Sequence, residues 1–159
     1  MTGSGAGGWL PTVMWVVVVL LYAGLASAWT AHDPGWYAQL AKPSSQPPDV
    51  VFAIMWPLNF LALLGVGVWF TRSTESTGVW PATLVLAGSV VAALTWAWLF
   101  YVPHRIGAAT VALAVAALLT SVLVGLVARS QPWAGALLAP YAAWLFVATA
   151  LSVQYSRLN

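Results

Sequence analysis

Charge is what this sequence has least of: 159 residues carry five Lys/Arg and three Asp/Glu, 5% of the chain. The five basic side chains are never adjacent, so no patch exists to neutralise phosphates, and nucleic acid is excluded as a partner. Cysteine is absent, which removes disulfides, thiolate metal sites, iron–sulfur clusters and cysteine nucleophiles. No metal site and no required cofactor are expected. What remains is 62% hydrophobic and includes eleven Trp, a composition far from that of soluble domains.

The few charges divide the chain into five long uncharged stretches, 1–32, 50–71, 76–104, 106–128 and 130–156, each at least 22 residues. A bilayer core of about 30 Å needs roughly 20 apolar residues of helix. Backbone groups in lipid are satisfied only within helices or closed barrels. The expected fold is therefore an all-α membrane protein, a compact bundle of five transmembrane helices near 9–29, 50–70, 79–101, 106–128 and 132–155. Residues 9–159 form one domain, and Met1 to Gly8 are a Gly-rich tail expected to be disordered. Ala26-Ser27-Ala28 imitates a signal-peptidase site, but no Lys or Arg precedes it and the apolar run is long, which favours a retained helix. Localisation in a membrane follows, with a bacterial cytoplasmic membrane the expected one.

The first connection, 30–49, is long and contains Trp36, Tyr37, Lys42, Pro43, Pro47, Pro48 and Asp49. Pro47 and Pro48 suit a helix start, where a missing N–H costs nothing, and Asp49 suits the positive end of the dipole. Lys42, Arg105 and Arg157 fall on one side of the membrane, Arg72 and Arg129 on the other. By one charge this favours an outside N-terminus.

No Asp, Glu, Lys, Arg or His lies inside an expected span. Proton relays and ion-coupled pumps normally need such groups, which counts against a proton-driven exporter, and buried triads and carboxylate pairs are missing too, so conventional hydrolytic chemistry has no machinery here. The spans hold aromatic and small residues instead. Trp144, Ala148, Leu151 and Tyr155 recur at i, i+4, i+7 and i+11, along one face with a gap at Ala148. Trp56 and Phe60, and Trp96 and Phe100, are each one turn apart. These three helices are able to wall a cavity for a planar hydrophobic ligand, while core packing and interfacial anchoring is the simpler account of spacing alone.

Pro140 is expected to perturb the fifth span and Tyr141 to supply a hydroxyl donor. Asn59 is expected to hydrogen-bond between helices. Gly88 and Ala92, and Ala108, Ala112 and Ala116, form rows that permit close packing, within the chain or in a homodimer. Leu151, Tyr155 and Arg157 satisfy a loose sterol-contact pattern that a helix-end anchor satisfies equally.

In order along the chain, these features resemble the translocator protein/tryptophan-rich sensory protein (TspO/MBR) family. Trp36-Tyr37-x2-Leu40-x-Lys42-Pro43-x3-Pro47-Pro48-x2-Val51-Phe52-x3-Trp56 is similar to the family's loop and second helix. Trp96-x3-Phe100-Tyr101 resembles its W-x-x-x-F-F, and Ala139-Pro140-Tyr141-x2-Trp144-x3-Ala148-x2-Leu151 with terminal Asn159 resembles its last helix. The resemblance implies a five-helix bundle, often dimeric, whose first loop caps a pocket for porphyrins and other tetrapyrroles, or sterols in animals. It implies links to tetrapyrrole metabolism and stress responses in bacteria. The pocket residues it implies are Trp36, Trp96, Phe100, Trp144, Ala148 and Leu151, supported by Pro47, Pro48 and Tyr141. A sterol-type motif is implied at Leu151, Tyr155 and Arg157.

The leading expectation is a non-enzymatic receptor or carrier, with membrane lipid and a flat hydrophobic molecule such as a porphyrin as partners and a second copy of the chain in a homodimer. The alternatives are light- and oxygen-dependent porphyrin breakdown, with Trp144 as the reactive indole, and a protein acting only through interactions. Four positions depart from the family: Ser45 and Val50 where Trp is usual, and Ala93 and Ser152 where Asn is common. Ser45 cannot stack on a porphyrin or donate an electron as indole does, which counts against breakdown.

Overall fold

A computed structural model describes residues 9–159, and among them five helices are long and apolar enough to cross a membrane. They are α1 (Leu10–Thr30), α3 (Asp49–Ser73), α4 (Ser76–Tyr101), α5 (Ile106–Ser130) and α6 (Pro132–Leu158); α2 (Pro34–Gln39) is a short helix inside the first connection. The tail expected over 1–8 lies outside the described residues. The five spans fall where hydropathy puts them, most of them extended by a turn or less. Arg72, expected in a loop, belongs to the last turn of α3, where a cation complements the helix dipole.

Short-range chemistry sets the helix limits. Pro48 caps α3 and Asp49 opens it, so the proline pair and the carboxylate occupy the expected start. Asp33 caps α2 by accepting the Trp36 N–H at 2.9 Å, with Pro34 in the first turn. No helix was expected in this connection, and the Asp33-Pro34 pair is the signal that could have shown one. Pro57, Pro81 and Pro140 lie inside α3, α4 and α6, and each helix runs on through its proline.

In space the helices follow the ring order α1, α4, α5, α6, α3 and back to α1, with α4 against α5 and α5 against α6 in the most extensive contact. Small residues allow this: Ala93, Ala97, Ala109, Ala116, Ala117 and Ala134 are all fully buried. At Gly135 a Cβ would lie 2.5 Å from the Ala128 Cβ, so only glycine lets α6 turn back this closely on α5. Gly88 is different. It is exposed, and a Cβ there would meet nothing nearer than Leu119 at 3.6 Å, so close packing of α4 does not require it. Ala116 is buried, whereas Ala108 is exposed and Ala112 half-buried.

Facing outward are Leu20, Leu58, Leu61, Leu84, Val91, Val111 and Leu118, each more than half exposed. In a membrane these side chains contact lipid rather than water. Hydroxyls within the spans bond to the preceding turn, as Thr71 does to Gly67 O at 2.8 Å and Thr83 to Val79 O at 2.9 Å. The Asn59 side chain is buried as expected, but its Nδ2 has no hydrogen-bond partner among the described residues. The interhelical hydrogen bond expected of Asn59 is not made by that nitrogen.

Candidate functional site

The helix α3 is held less extensively on both flanks than α5 is, and a cavity of about 480 Å³ opens beside it between α1, α4 and α6. That volume is within the usual range of small-molecule sites, roughly 300–1,000 Å³. Its wall is aromatic. Trp56 stacks with Phe60 (centroids 6.0 Å apart, planes at 27°) and with Trp96 (6.4 Å, 21°). Tyr22 meets the Phe60 ring edge-on at 5.1 Å. Phe100 continues the wall, 6.0 Å from Trp96, and meets the Tyr155 ring edge-on at 5.8 Å. The one-turn spacing of Trp56 with Phe60 and of Trp96 with Phe100 puts each pair on one helix face, and the ring order brings the two faces together.

On α6 the small side chain of Ala148 forms a recess, with Leu151 and Tyr155 lining the next turns. Trp144, one turn before Ala148, stands outside the lining: it is buried and packs edge-on against Phe52, 5.4 Å away, while Phe52 itself faces the cavity. Tyr141 is also behind the wall. Its hydroxyl donates to Tyr22 Oη at 3.2 Å and so fixes a lining ring from α1. Leu151 and Tyr155 point inward while Arg157 is exposed on the last turn, so these three do not form one lipid-facing patch.

The first connection closes over this end of the bundle, and the last turns of α6 hold it there. Tyr155 donates its hydroxyl proton to Gln46 Oε1, so the 3.3 Å contact between the Tyr37 and Tyr155 hydroxyls is donated by Tyr37. Ser45 Oγ donates to Gln154 Oε1 at 2.9 Å. Asn159 acts as a backbone mimic: its Oδ1 accepts the Ala41 N–H at 2.9 Å and its Nδ2 donates to Ala41 O at 3.3 Å. Asn159→Ala is expected to speed hydrogen exchange at the Ala41 amide by about tenfold, the worth of one lost hydrogen bond; an unchanged rate would show the clamp to be inert.

Trp36 reaches the cavity indirectly. It lies on α2, stacks on the His104 ring at 3.9 Å with planes at 14°, and meets Phe100 edge-on at 5.5 Å. His104 is in the left-handed region, φ 58°, in the turn between α4 and α5, a conformation costing about 1 kcal/mol, and its ring packs there on Trp36. Its Nε2 is 3.9 Å from Asp33 Oδ2. Pro47 and Pro48 shape the segment that leads from Gln46 into α3 and do not themselves line the cavity.

Of the residues named from sequence, Trp96, Phe100, Ala148, Leu151 and Tyr155 line one cavity, with Trp56 and Phe60 beside them; Trp36, Tyr141 and Trp144 back its walls. Sequence reasoning missed Tyr22 and Ala26 on α1, and Gln46 on the lid. Tyr22 was detectable only as the one aromatic between Trp15 and Trp29 in the first span.

Residues 13–158 match the family model described as TspO/MBR family. The chain belongs to the TspO/MBR family. A translocator protein of Sus scrofa is 32% identical over 158 residues, covering 95% of this chain and 91% of that protein. The human translocator protein is 30% identical over 157 residues, with the same coverage of 95% and 91%. A tryptophan-rich sensory protein of Cereibacter sphaeroides is 30% identical over 125 residues, covering 78% of this chain and 77% of the relative. With its five apolar spans, this TspO/MBR chain is an integral membrane protein.

Of the four positions expected to depart from the family pattern, two make hydrogen bonds between elements. Ser45 ties the lid to α6, and Ser152 keeps a polar link between helices through a 2.7 Å hydroxyl contact with Thr110 on α5. Ala93 is fully buried in α4 and Val50 is exposed at the start of α3.

Proposed function

We propose that this protein is a non-enzymatic membrane receptor or carrier that binds tetrapyrroles or similarly flat hydrophobic molecules and thereby affects their handling. The observation that carries this reading is the 480 Å³ cavity walled by the Trp56, Phe60 and Trp96 rings under a loop pinned to α6. Nearly parallel aromatic planes present flat faces to a planar guest, and burial of such a guest is driven by apolar area. The family's names, translocator and sensory protein, agree with binding rather than turnover. Within this reading the membrane is a bacterial cytoplasmic one. Exposed Gly88 on α4, not needed for packing inside the chain, supports a homodimer through that face.

Light-driven breakdown of the guest has weaker footing, because Trp144 is separated from the cavity by Phe52 and Ser45 offers no indole at the lid.

The test is a titration of detergent-purified protein with protoporphyrin IX in the dark. Trp56 and Trp96 lie on the wall, so saturable quenching of tryptophan fluorescence at micromolar porphyrin is expected. Fluorescence that declines only linearly, as free tryptophan does with the same additions, would defeat the reading.

A further inference from the structure

The cavity is apolar in its depth and polar at its rim, and the rim is electrostatically one-sided. Asp49 is the single lining residue with a formal charge; no Lys, Arg or His lines the cavity. Its side chain is exposed at the start of α3 and has neither a hydrogen bond nor an ion pair among the described residues. The cation of the first connection, Lys42, has its ammonium over the ring of the lining residue Tyr37, 5.6 Å from the centroid, and does not itself line the cavity.

Three of the lining hydroxyls are already committed. Tyr37 donates to Tyr155, Tyr155 donates to Gln46, and Ser152 pairs with Thr110. The Trp96 Nε1–H also lines the cavity without a partner among the described residues, but the Asp49 carboxylate is the unpaired lining group that carries charge, an acceptor with negative charge. A helix N-terminus ordinarily attracts an anion. Here Asp49 is itself the anion at the N-terminus of α3, so the helix dipole is already complemented before any guest arrives.

We propose that Asp49 makes the cavity charge-selective: it admits flat hydrophobic molecules that are neutral, or that present a cation or hydrogen-bond donor at the rim, and disfavours the same skeleton bearing ionised carboxylates. This rests on the reading of the cavity as a site for flat ligands and names the ligand chemistry within it. Two like charges several ångströms apart near a protein surface repel enough to weaken binding on the order of fivefold. The effect is larger at low ionic strength and fades as salt screens it.

Two probes with one skeleton test this, protoporphyrin IX as the diacid and its dimethyl ester, titrated in the dark against the full chain in detergent. The wild-type protein is expected to prefer the ester by about fivefold or more, with the preference shrinking as salt is raised. Asp49→Asn, which keeps the shape and removes the charge, is expected to bring the ester-to-acid ratio down severalfold through tighter binding of the diacid; Asp49→Glu is expected to retain the preference. The ester's greater partitioning into micelles is the same for every variant, so it cancels in this comparison. An ester-to-acid ratio identical in wild type and Asp49→Asn overturns the charge selection while leaving the flat-ligand site standing. Failure of both probes to give saturable quenching in both proteins overturns the flat-ligand reading itself, and the selection with it.

Discussion

Gly67→Ala is expected to lower stability by about 3 kcal/mol, a large effect for one methyl group. A Cβ at this position would lie 2.0 Å from Trp15 Nε1 and 2.2 Å from its Cδ1, far inside van der Waals contact. The indole has no room to retreat. It is fully buried, and its Nε1 donates to Leu63 O at 2.9 Å, one turn earlier on the same helix. Moving the ring breaks that bond and disturbs its packing on Phe70, 6.0 Å away. It also strains the 2.8 Å Thr12–Thr71 hydroxyl pair that joins α1 to α3 one turn further along. Gly65→Ala is the control, since a Cβ there meets nothing within 4 Å and Gly-to-Ala in a helix is otherwise favourable by about 1 kcal/mol. Thermal unfolding in detergent distinguishes them: a clear fall in melting temperature is expected for Gly67→Ala alone, and equal melting of the two variants would refute the close-approach argument.

Ala148→Phe is expected to weaken porphyrin binding by about 100-fold, equivalent to about 2.7 kcal/mol. Ala148 is the low point of the α6 face between Trp144 and Leu151, and its methyl group lines the cavity. A phenyl ring there occupies space that the guest needs, without removing a hydrogen bond or a charge. The neighbouring Val147 is 45% exposed on the lipid side, so Val147→Phe adds a similar ring to the same helix without reaching the cavity. Quenching titrations of the two variants, with helicity checked by circular dichroism, give the answer. Equal affinity in both would mean that the porphyrin binds somewhere other than this recess.

How far the sequence led depended on which constraint governed each feature. The five spans were legible because lipid imposes a length and a polarity that few other segments satisfy. The Ala148 recess was legible because helix periodicity alone puts Trp144, Ala148, Leu151 and Tyr155 on one face. Periodicity does not say which of them is deepest, and Trp144 proves to stand behind Phe52. The contribution of α1 was hidden, since no local pattern encodes a ring in which α1 touches α3 and α4. The lid contacts were hidden for a similar reason: Gln46 meets Tyr155 across 109 residues, and Ala41 meets Asn159 across 118. The family resemblance named Trp36 and Asn159, but their work, a stack on a left-handed histidine and a backbone clamp, is visible only in three dimensions.

The ring order also bears on how the protein is made. Synthesis delivers α1, α3, α4 and α5 to the membrane before α6, and N-terminal parts of a chain generally begin to fold first. Until α6 arrives, α3 lacks one of its two main flanking helices, and the recess at Ala148 and the anchors for Ala41, Ser45 and Gln46 do not exist. The same final helix therefore completes the ring, supplies the cavity's fourth wall and fastens its cover. A ribosome stalled before Pro132 would leave in the bilayer a four-helix intermediate with an aromatic cleft exposed to lipid, a natural substrate for membrane quality control.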